Sequence, residues 1–165
     1  MAATRNSSTG ILSDDKSEQR EELIGMLEKA YWMEIETVMS YIANSTNPDG
    51  VRAQEIIESL EADIQEELGH AQQFAHRIKE LYGVVPGSLD FSAEQSYLQP
   101  PEHQTDIVHV IKGVIEAETG AIEHYNAIIE ATDGVDFVTQ DMVIEILRDE
   151  EGHLRQFERY LREFE

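Results

Sequence analysis

The sequence has no cysteine among its 165 residues, and this absence excludes several kinds of site. Without thiols there is no disulfide, no thiolate-bound zinc, no iron–sulfur cluster and no redox-active thiol. No apolar run approaches the eighteen or so residues that a membrane-spanning helix needs, and the opening MAATRNSSTG lacks the apolar stretch of a secretion signal. The composition therefore predicts a cytoplasmic protein without a membrane partner.

Basic residues are also scarce. Lysine and arginine number 12 against 34 aspartates and glutamates, which gives a formal net charge of −22. Because phosphate backbones are bound by clustered lysine and arginine, this balance argues against nucleic acid as a partner. Three interpretations of the acidic surface stay open: simple solubility, adaptation to high salt, and concentration of cations near the protein. We favour the halophilic interpretation.

A Glu-x-x-His motif occurs twice. Glu67-Leu68-Gly69-His70 is echoed by Glu150-Glu151-Gly152-His153, and a phenylalanine follows each histidine by four residues. Of the six histidines, only these two have a glutamate three residues earlier. That selectivity matters because acidic residues are so common here that one such pair is expected by chance.

Each copy also has a matching upstream pair. Glu34 precedes Tyr41 by seven residues, and Glu118 precedes Tyr125 by seven. The separation from the upstream glutamate to that of the Glu-x-x-His motif is 33 residues in the first half and 32 in the second. Four carboxylates and two imidazoles in this order are the ligand set of a dinuclear metal site inside a four-helix bundle.

The apolar pattern predicts an all-α fold, a single antiparallel four-helix bundle over residues 17–165. Spacings of three and four residues favour two helix pairs, 17–83 and 105–164. Residues 84–104 contain two consecutive prolines and are predicted to form one long crossover between the second and third helices, with room for a short helical turn. Residues 1–16 are small and polar and are expected to form a flexible tail.

The metal prediction depends on where these glutamates fall. Each of the four lies on the inward apolar stripe of its helix, where an ionised carboxylate costs several kcal/mol unless it is paired or binds a metal. Two divalent cations would neutralise the four charges. Carboxylate and imidazole together suit iron, and also manganese or zinc. We assign two terminal pairs, one on each ion, and two bridging carboxylates: Glu34 with His70, Glu118 with His153, and Glu67 and Glu150 as bridges.

Residues near these ligands carry weaker signals. Tyr41 and Tyr125 are either hydrogen-bonded to a ligand carboxylate or ordinary core aromatics. Asp63 is either a surface acid or a residue that binds iron in transit. The remaining flanking acids are expected on solvated faces: Glu36, Glu66, Glu116 and Glu151.

The chain resembles the ferritin-like superfamily, and the bacterioferritins in particular. The resemblance spans residues 23–161 and is densest over Asp141–His153, DMVIEILRDEEGH, and over Met33-Glu34 through Tyr41. It implies that the six predicted ligands form a ferroxidase site, which oxidises Fe(II) with O2 or H2O2, and that ferric mineral is stored in a homo-oligomeric cage.

The sequence departs from that family's pattern at several points. Leu68 stands where bacterioferritins carry the haem-ligating methionine, so we expect no haem. Only twelve residues follow His153, which favours a cage of twelve subunits, as in Dps-like proteins of archaea, over one of twenty-four. The cysteine pair usual in those archaeal proteins is absent. Two other functions stay open: a peroxide-scavenging di-iron or di-manganese enzyme without storage, and a non-catalytic metal-binding bundle.

Overall fold

A computed structural model describes residues 10–165 and confirms the all-α prediction. Four helices account for most of this range: α1 (Ser17–Thr46), α2 (Gln54–Glu80), α3 (Ile107–Thr132) and α4 (Phe137–Leu161). Residues 10–165 contain no β-strand. Within the same range, no helix combines the length and the apolar character needed to cross a membrane.

Local sequence signals set the helix ends in the second half of the chain. The Asp106 carboxylate accepts a hydrogen bond from the backbone N–H of His109 and caps the start of α3. Asp136 does the same for α4 through Thr139 N–H. Such caps satisfy backbone donors that have no partner within the helix. The short α3–α4 turn contains Gly134 at a φ of +67°, a conformation that glycine adopts without steric cost.

The helices pack as two hairpins, α1 with α2 and α3 with α4, placed side by side. Their apolar faces form two separate buried clusters. Leu27, Phe74 and Ile146 belong to the first cluster, and Leu60 and Phe157 to the second. Along each helix the predicted metal-ligating residues fall between these clusters, so a layer of buried polar groups divides the core.

The connection from α2 to α3 covers residues 81–106, close to the predicted 84–104, and includes two short 3₁₀ helices, Ser88–Asp90 and Ser96–Leu98. Asn44 Nδ2 of α1 donates to the carbonyl of Leu98 at 2.8 Å. On the opposite side, a Cβ added at Gly113 of α3 would lie 2.7 Å from the carbonyl oxygen of Tyr97. Glycine therefore lets the crossover lie directly on α3.

Residues 10–16, which the sequence assigns to a flexible tail, are structured. Residues 10–16 form two 3₁₀ turns, Gly10–Leu12 and Asp14–Lys16, that pack on the bundle. Ile11 is buried against the first apolar cluster. The Arg20 guanidinium donates to the carbonyls of Ile11 and Ser13, both at 2.8 Å. These contacts hold a segment whose polar sequence gave no periodic signal; residues 1–9 lie outside the described residues.

A buried ion pair ties the end of α2 to the start of α4. Arg77 donates to both carboxylate oxygens of Asp136, at 2.9 and 3.1 Å, and to Thr139 Oγ1 at 2.8 Å. Arg77 and Asp136 are almost fully buried. Paired geometry of this kind compensates the desolvation of both charges.

Candidate metal centre

All six predicted ligands are buried in the polar layer between the two apolar clusters, at 1–6% exposure. Each helix contributes to the layer: α1 brings Glu34, α2 brings Glu67 and His70, α3 brings Glu118, and α4 brings Glu150 and His153. In each Glu-x-x-His motif the three-residue spacing places both side chains on one helical face.

The six residues form two overlapping sets of possible ligands. In each set the ligand atoms lie within 4.8 Å of one another. Glu34 and His70 belong to one set, Glu118 and His153 to the other, and both sets contain Glu67 and Glu150. The two shared residues are those that the sequence assigns as bridges. This arrangement can hold two cations that share two carboxylates.

The histidines point the same ring nitrogen inward. Nδ1 of His70 lies 3.0 Å from Glu150 Oε1 and 3.5 Å from Glu67 Oε2. Nδ1 of His153 lies 3.2 Å from a carboxylate oxygen of each of the same two glutamates. Both imidazoles therefore present Nδ1 as the atom available to a cation.

The outward nitrogens reveal two residues that the sequence did not identify. His70 Nε2 lies 3.1 Å from Asp149, and His153 Nε2 lies 2.8 Å from Glu66. In each case the acid immediately before the motif's glutamate bonds to the histidine of the other helix. A carboxylate on the outer nitrogen fixes the ring orientation and leaves the inner nitrogen free for a metal. Glu66 is solvent-exposed as predicted, but its carboxylate also contacts the His153 ring.

The two tyrosines form a reciprocal pair. Tyr41 of α1 donates to Glu118 of α3 at 2.5 Å, while Tyr125 of α3 donates to Glu34 of α1. Both phenol rings are fully buried. Both interpretations left open by the sequence apply, because each hydroxyl donates to a site carboxylate while each ring packs in one of the apolar clusters. Each tyrosine therefore orients the α1 or α3 glutamate of the opposite hairpin.

The pKa values of two glutamates and of both histidines in the centre are raised, for different reasons. Desolvation raises the pKa of Glu34 and Glu118 well above the usual range, and neighbouring carboxylate charges raise it further. Burial alone would lower the pKa of the histidines. The facing carboxylates of Glu150 and Glu67 instead raise the pKa of His70 to about 10 and that of His153 to about 12.

Glu67 behaves differently because it faces both imidazoles. Burial alone would raise the pKa of its carboxyl, yet contacts with Glu34 and the two imidazoles lower it below the ordinary value. Three buried atoms of the centre nevertheless have no hydrogen-bond partner: Glu67 Oε1, His70 Nδ1 and Glu150 Oε1. His70 Nδ1 and Glu150 Oε1 lie 3.0 Å apart, and Glu67 Oε1 lies 3.2 Å from His153 Nδ1, but neither contact has the geometry of a hydrogen bond. Buried ligand atoms left in this way fit bound cations.

Two further acids, Asp63 and Glu36, are buried. Asp63 is buried one turn before Glu67, and its Oδ1 lies 3.5 Å from His153 Nε2, while Oδ2 has no hydrogen-bond partner. Burial raises the pKa of Asp63 to about 6. Glu36 was predicted on a solvated face, and this prediction is wrong. Its side chain turns toward the crossover, where it accepts hydrogen bonds from the backbone N–H groups of Glu94 and Gln95.

Comparison with known proteins places this geometry in a family. The family model described as the ferritin-like domain matches residues 24–165. The chain belongs to the ferritin-like family. A relative named "DNA protection during starvation protein", from Pyrococcus furiosus, is 32% identical to this ferritin-like chain over 146 residues, which cover 86% of this chain and 77% of the relative.

Solved structures agree with this assignment. A structure described as a dodecameric thioferritin, the bacterioferritin-related protein of Bacteroides fragilis, superposes with a TM-score of 0.76 at 26% identity. It matches 88% of this ferritin-like chain and 87% of its own. The bacterioferritin of Desulfovibrio desulfuricans, whose diiron site was solved in different catalytic states, gives a TM-score of 0.76 at 22% identity, over 88% of this chain and 81% of its own. At this identity, the similarity to the Desulfovibrio desulfuricans protein shows a shared fold.

Proposed function

We propose that this ferritin-like protein oxidises Fe(II) at the buried centre with O2 or H2O2 and stores the ferric product inside a homo-oligomeric cage. The observation that supports this most directly is the pair of ligand sets sharing Glu67 and Glu150. Shared carboxylates hold two metal ions close together, so that two one-electron oxidations can be coupled to one two-electron oxidant.

The donor set suits iron as the substrate. Carboxylate oxygens and imidazole nitrogens bind iron, manganese and zinc, and the chain offers no thiolate. With peroxide, two Fe(II) ions lose one electron each, and H2O2 takes up two electrons and two protons to give two water molecules. Tyr41 and Tyr125 keep the terminal glutamates oriented, while Asp149 and Glu66 keep both Nδ1 atoms directed inward.

The roles of bridging and terminal residues predict unequal effects of mutation. Glu150→Ala removes a carboxylate from both ligand sets and is expected to abolish rapid Fe(II) oxidation. Glu34→Ala removes a carboxylate from one set only and should leave a slow residual rate. Stopped-flow absorbance after mixing anaerobic Fe(II)-loaded protein with O2 or H2O2 measures both.

Glu151→Ala is the matched control, because Glu151 is an exposed acid adjacent to Glu150 on the same helix. It should oxidise iron at the wild-type rate. If Glu150→Ala and Glu151→Ala oxidise Fe(II) equally fast, the centre is not the site of oxidation.

We also propose that Asp63 binds iron in transit. The two motifs differ at this position, because Asp63 stands four residues before Glu67, whereas buried Ile146 stands four residues before Glu150. The ligand atoms of Asp63, Glu66 and His153 lie within 4.8 Å of one another, and no counterpart of this set occurs beside His70 among residues 10–165. Asp63→Ile should leave oxidation of the first two ions per chain intact and slow the uptake of further iron. Equal uptake of fifty ions per chain by both proteins would refute the transit role.

The proposed cage accounts for apolar side chains on the outside of the bundle. Phe137 and Val138 at the start of α4 are 68% and 62% exposed, and Met39 and Ile42 on α1 are 55% and 51% exposed. Exposed apolar groups of this kind mark subunit contacts. We favour twelve subunits over twenty-four, and the Bacteroides fragilis relative is itself described as dodecameric. Light scattering distinguishes the two cages, whereas a dimer would favour a scavenging enzyme without storage.

A further inference from the structure

A groove on the outer side of α1 and α3, partly covered by the crossover, leads toward the metal centre. Its volume is about 700 Å³. Five carboxylates and a single lysine line it: Glu28, Glu36, Asp90, Glu94, Glu123 and Lys29. A cleft with this balance of charge concentrates cations at its floor.

The groove and the metal centre are separated by a thin wall. The cavity at the centre is small, about 10 Å³, which is room for about one water molecule. It is lined by the four site glutamates together with other residues, of which Met33 and Gln95 also line the groove. These two residues therefore have one side toward the solvent-filled groove and the other toward the site carboxylates.

Gln95 is the part of this wall that the crossover supplies. Its side chain is almost fully buried. Nε2 donates to Thr37 Oγ1 at 3.0 Å and to the Met33 carbonyl at 3.4 Å. Thr37 lines the small cavity as well. The amide oxygen Oε1 of Gln95 also accepts a hydrogen bond from Thr37 Oγ1 at 3.3 Å. These hydrogen bonds hold the carboxamide between the groove and the small cavity, so rotation about the Gln95 side chain would open the passage without moving a helix.

Glu36 fixes the backbone on which Gln95 is carried. Its buried carboxylate accepts two hydrogen bonds from Glu94 N–H, at 2.9 and 3.0 Å, and one from Gln95 N–H at 2.7 Å. Hydrogen bonds to an ionised acceptor are roughly twice as strong as those between neutral groups. Glu94 and Gln95 lie outside regular secondary structure. The Glu36 carboxylate therefore supplies the hydrogen-bond acceptors that a helix would otherwise supply to their backbone N–H groups.

We propose that Gln95 is the gate between the acidic groove and the metal centre, and that Glu36 holds this gate closed. The proposal rests on the proposed function and adds the route by which the divalent substrate reaches its site. The amide oxygen of Gln95 and the hydroxyl of Thr37 are oxygen ligands of the kind that hard divalent cations accept. A cation can therefore exchange water for these oxygens as it passes.

The gate can be tested with Co(II), which binds carboxylate–imidazole sites without being oxidised by dissolved oxygen on the time scale of mixing. Stopped-flow absorbance of the cobalt d–d bands gives the rate at which the centre fills, and titration gives the number bound. Gln95→Ala removes the carboxamide and should fill about tenfold faster, the factor that 1.4 kcal/mol of lost hydrogen bonding corresponds to. It should still bind two cobalt ions per chain.

Matched controls separate gating from charge. Gln54→Ala removes a glutamine on α2 whose side chain bonds only to exposed Glu58, and it should fill at the wild-type rate. Glu36→Ala and Glu28→Ala each remove one carboxylate from the groove, but only Glu36 holds the crossover. Glu36→Ala should fill faster and should show faster amide hydrogen exchange over residues 88–98, whereas Glu28→Ala should fill no faster than wild type.

The outcomes are distinguishable. Equal filling rates for Gln95→Ala, Gln54→Ala and wild type, with two cobalt ions bound by each, would overturn the gate and leave the proposed function intact. Equal acceleration by Glu36→Ala and Glu28→Ala would assign the effect to charge and overturn the role of Glu36. Failure of the wild-type protein to bind cobalt would contradict the proposed function and the gate together. If Glu36→Ala does not fold, Gln95→Ala decides the gate alone.

Discussion

Binding of two divalent ions should expel about four protons from the metal centre. In the metal-free protein the raised pKa values of His70 and His153, about 10 and about 12, keep both imidazoles protonated at neutral pH. Burial and neighbouring charges raise the pKa of Glu34 and Glu118 well above the usual range, and we therefore expect both carboxyls to retain a proton as well. In the metal-free protein, these protons neutralise the buried carboxylate charge that metal ions would otherwise neutralise.

The magnitude follows from the identity of the ligands. Metal binding requires neutral imidazole and ionised carboxylate, so two imidazolium protons and two carboxyl protons must leave, roughly four for two ions. By linkage, the overall binding constant for the pair should rise by about four decades per pH unit near neutrality. A surface site of ionised carboxylates would show almost no such dependence.

The assay is a titration of metal-free protein with Zn(II), which has no redox chemistry, in a weakly buffered solution held at pH 7 by automatic addition of base. The base consumed gives protons released per ion. Glu34→Ala removes one titrating group and should lower the yield by about one proton per pair. A release below one proton per two ions would refute the protonation pattern assigned to the centre.

Three other outcomes follow from the fold and charge. Without metal, the melting temperature should fall as pH rises from 6 to 10. Folding raises the pKa of the site histidines above 6.5 and also raises the pKa of Glu34 and Glu118, so the folded state holds these protons more tightly than the unfolded chain. The resulting stabilisation of the folded state is present at low pH and is lost as the groups deprotonate. Arg77→Met should lower the free energy of unfolding in urea by about 3 kcal/mol because it leaves buried Asp136 without its cation, whereas Arg148→Met, at an exposed pair, should change it by less than about 0.5 kcal/mol. The melting temperature of the metal-free protein should rise with KCl, because screening shortens the range of repulsion from about 30 Å at 0.01 M to about 3 Å at 1 M; an unchanged value would show that the net charge of −22 is incidental.

The fold and the six central residues were predictable for a specific physical reason. Glu34, Glu67, Glu118 and Glu150 occupy positions that the apolar periodicity assigns to the core, and a buried carboxylate is costly enough to require a partner. The duplicated spacing then indicates that the four meet at one level. Periodicity, burial cost and repetition all point to the same residues, and none of them requires knowledge of how the helices are rotated in detail.

What the sequence did not reveal depends on contacts between elements. Asp149 and Glu66 each bond to a histidine on a different helix, and only the packed arrangement shows which acid reaches which ring. Glu36 lies outside the apolar stripe, and its partners are backbone N–H groups of the crossover, a segment without a period. Ile11 is one apolar residue in a polar stretch, too little pattern to predict burial.

The exchanged tyrosine contacts make the centre a property of two hairpins rather than of one. The α1–α2 hairpin carries a glutamate, a tyrosine and a Glu-x-x-His motif, and the α3–α4 hairpin carries the same set. Because Tyr41 orients Glu118 and Tyr125 orients Glu34, neither hairpin can complete its own half of the site. Two copies of a single hairpin, related by a twofold axis that runs between the shared carboxylates, would supply every group. The minimal unit able to build this centre is therefore a symmetric dimer of helical hairpins, each about half the length of this chain, and the long crossover joins two such hairpins into one subunit.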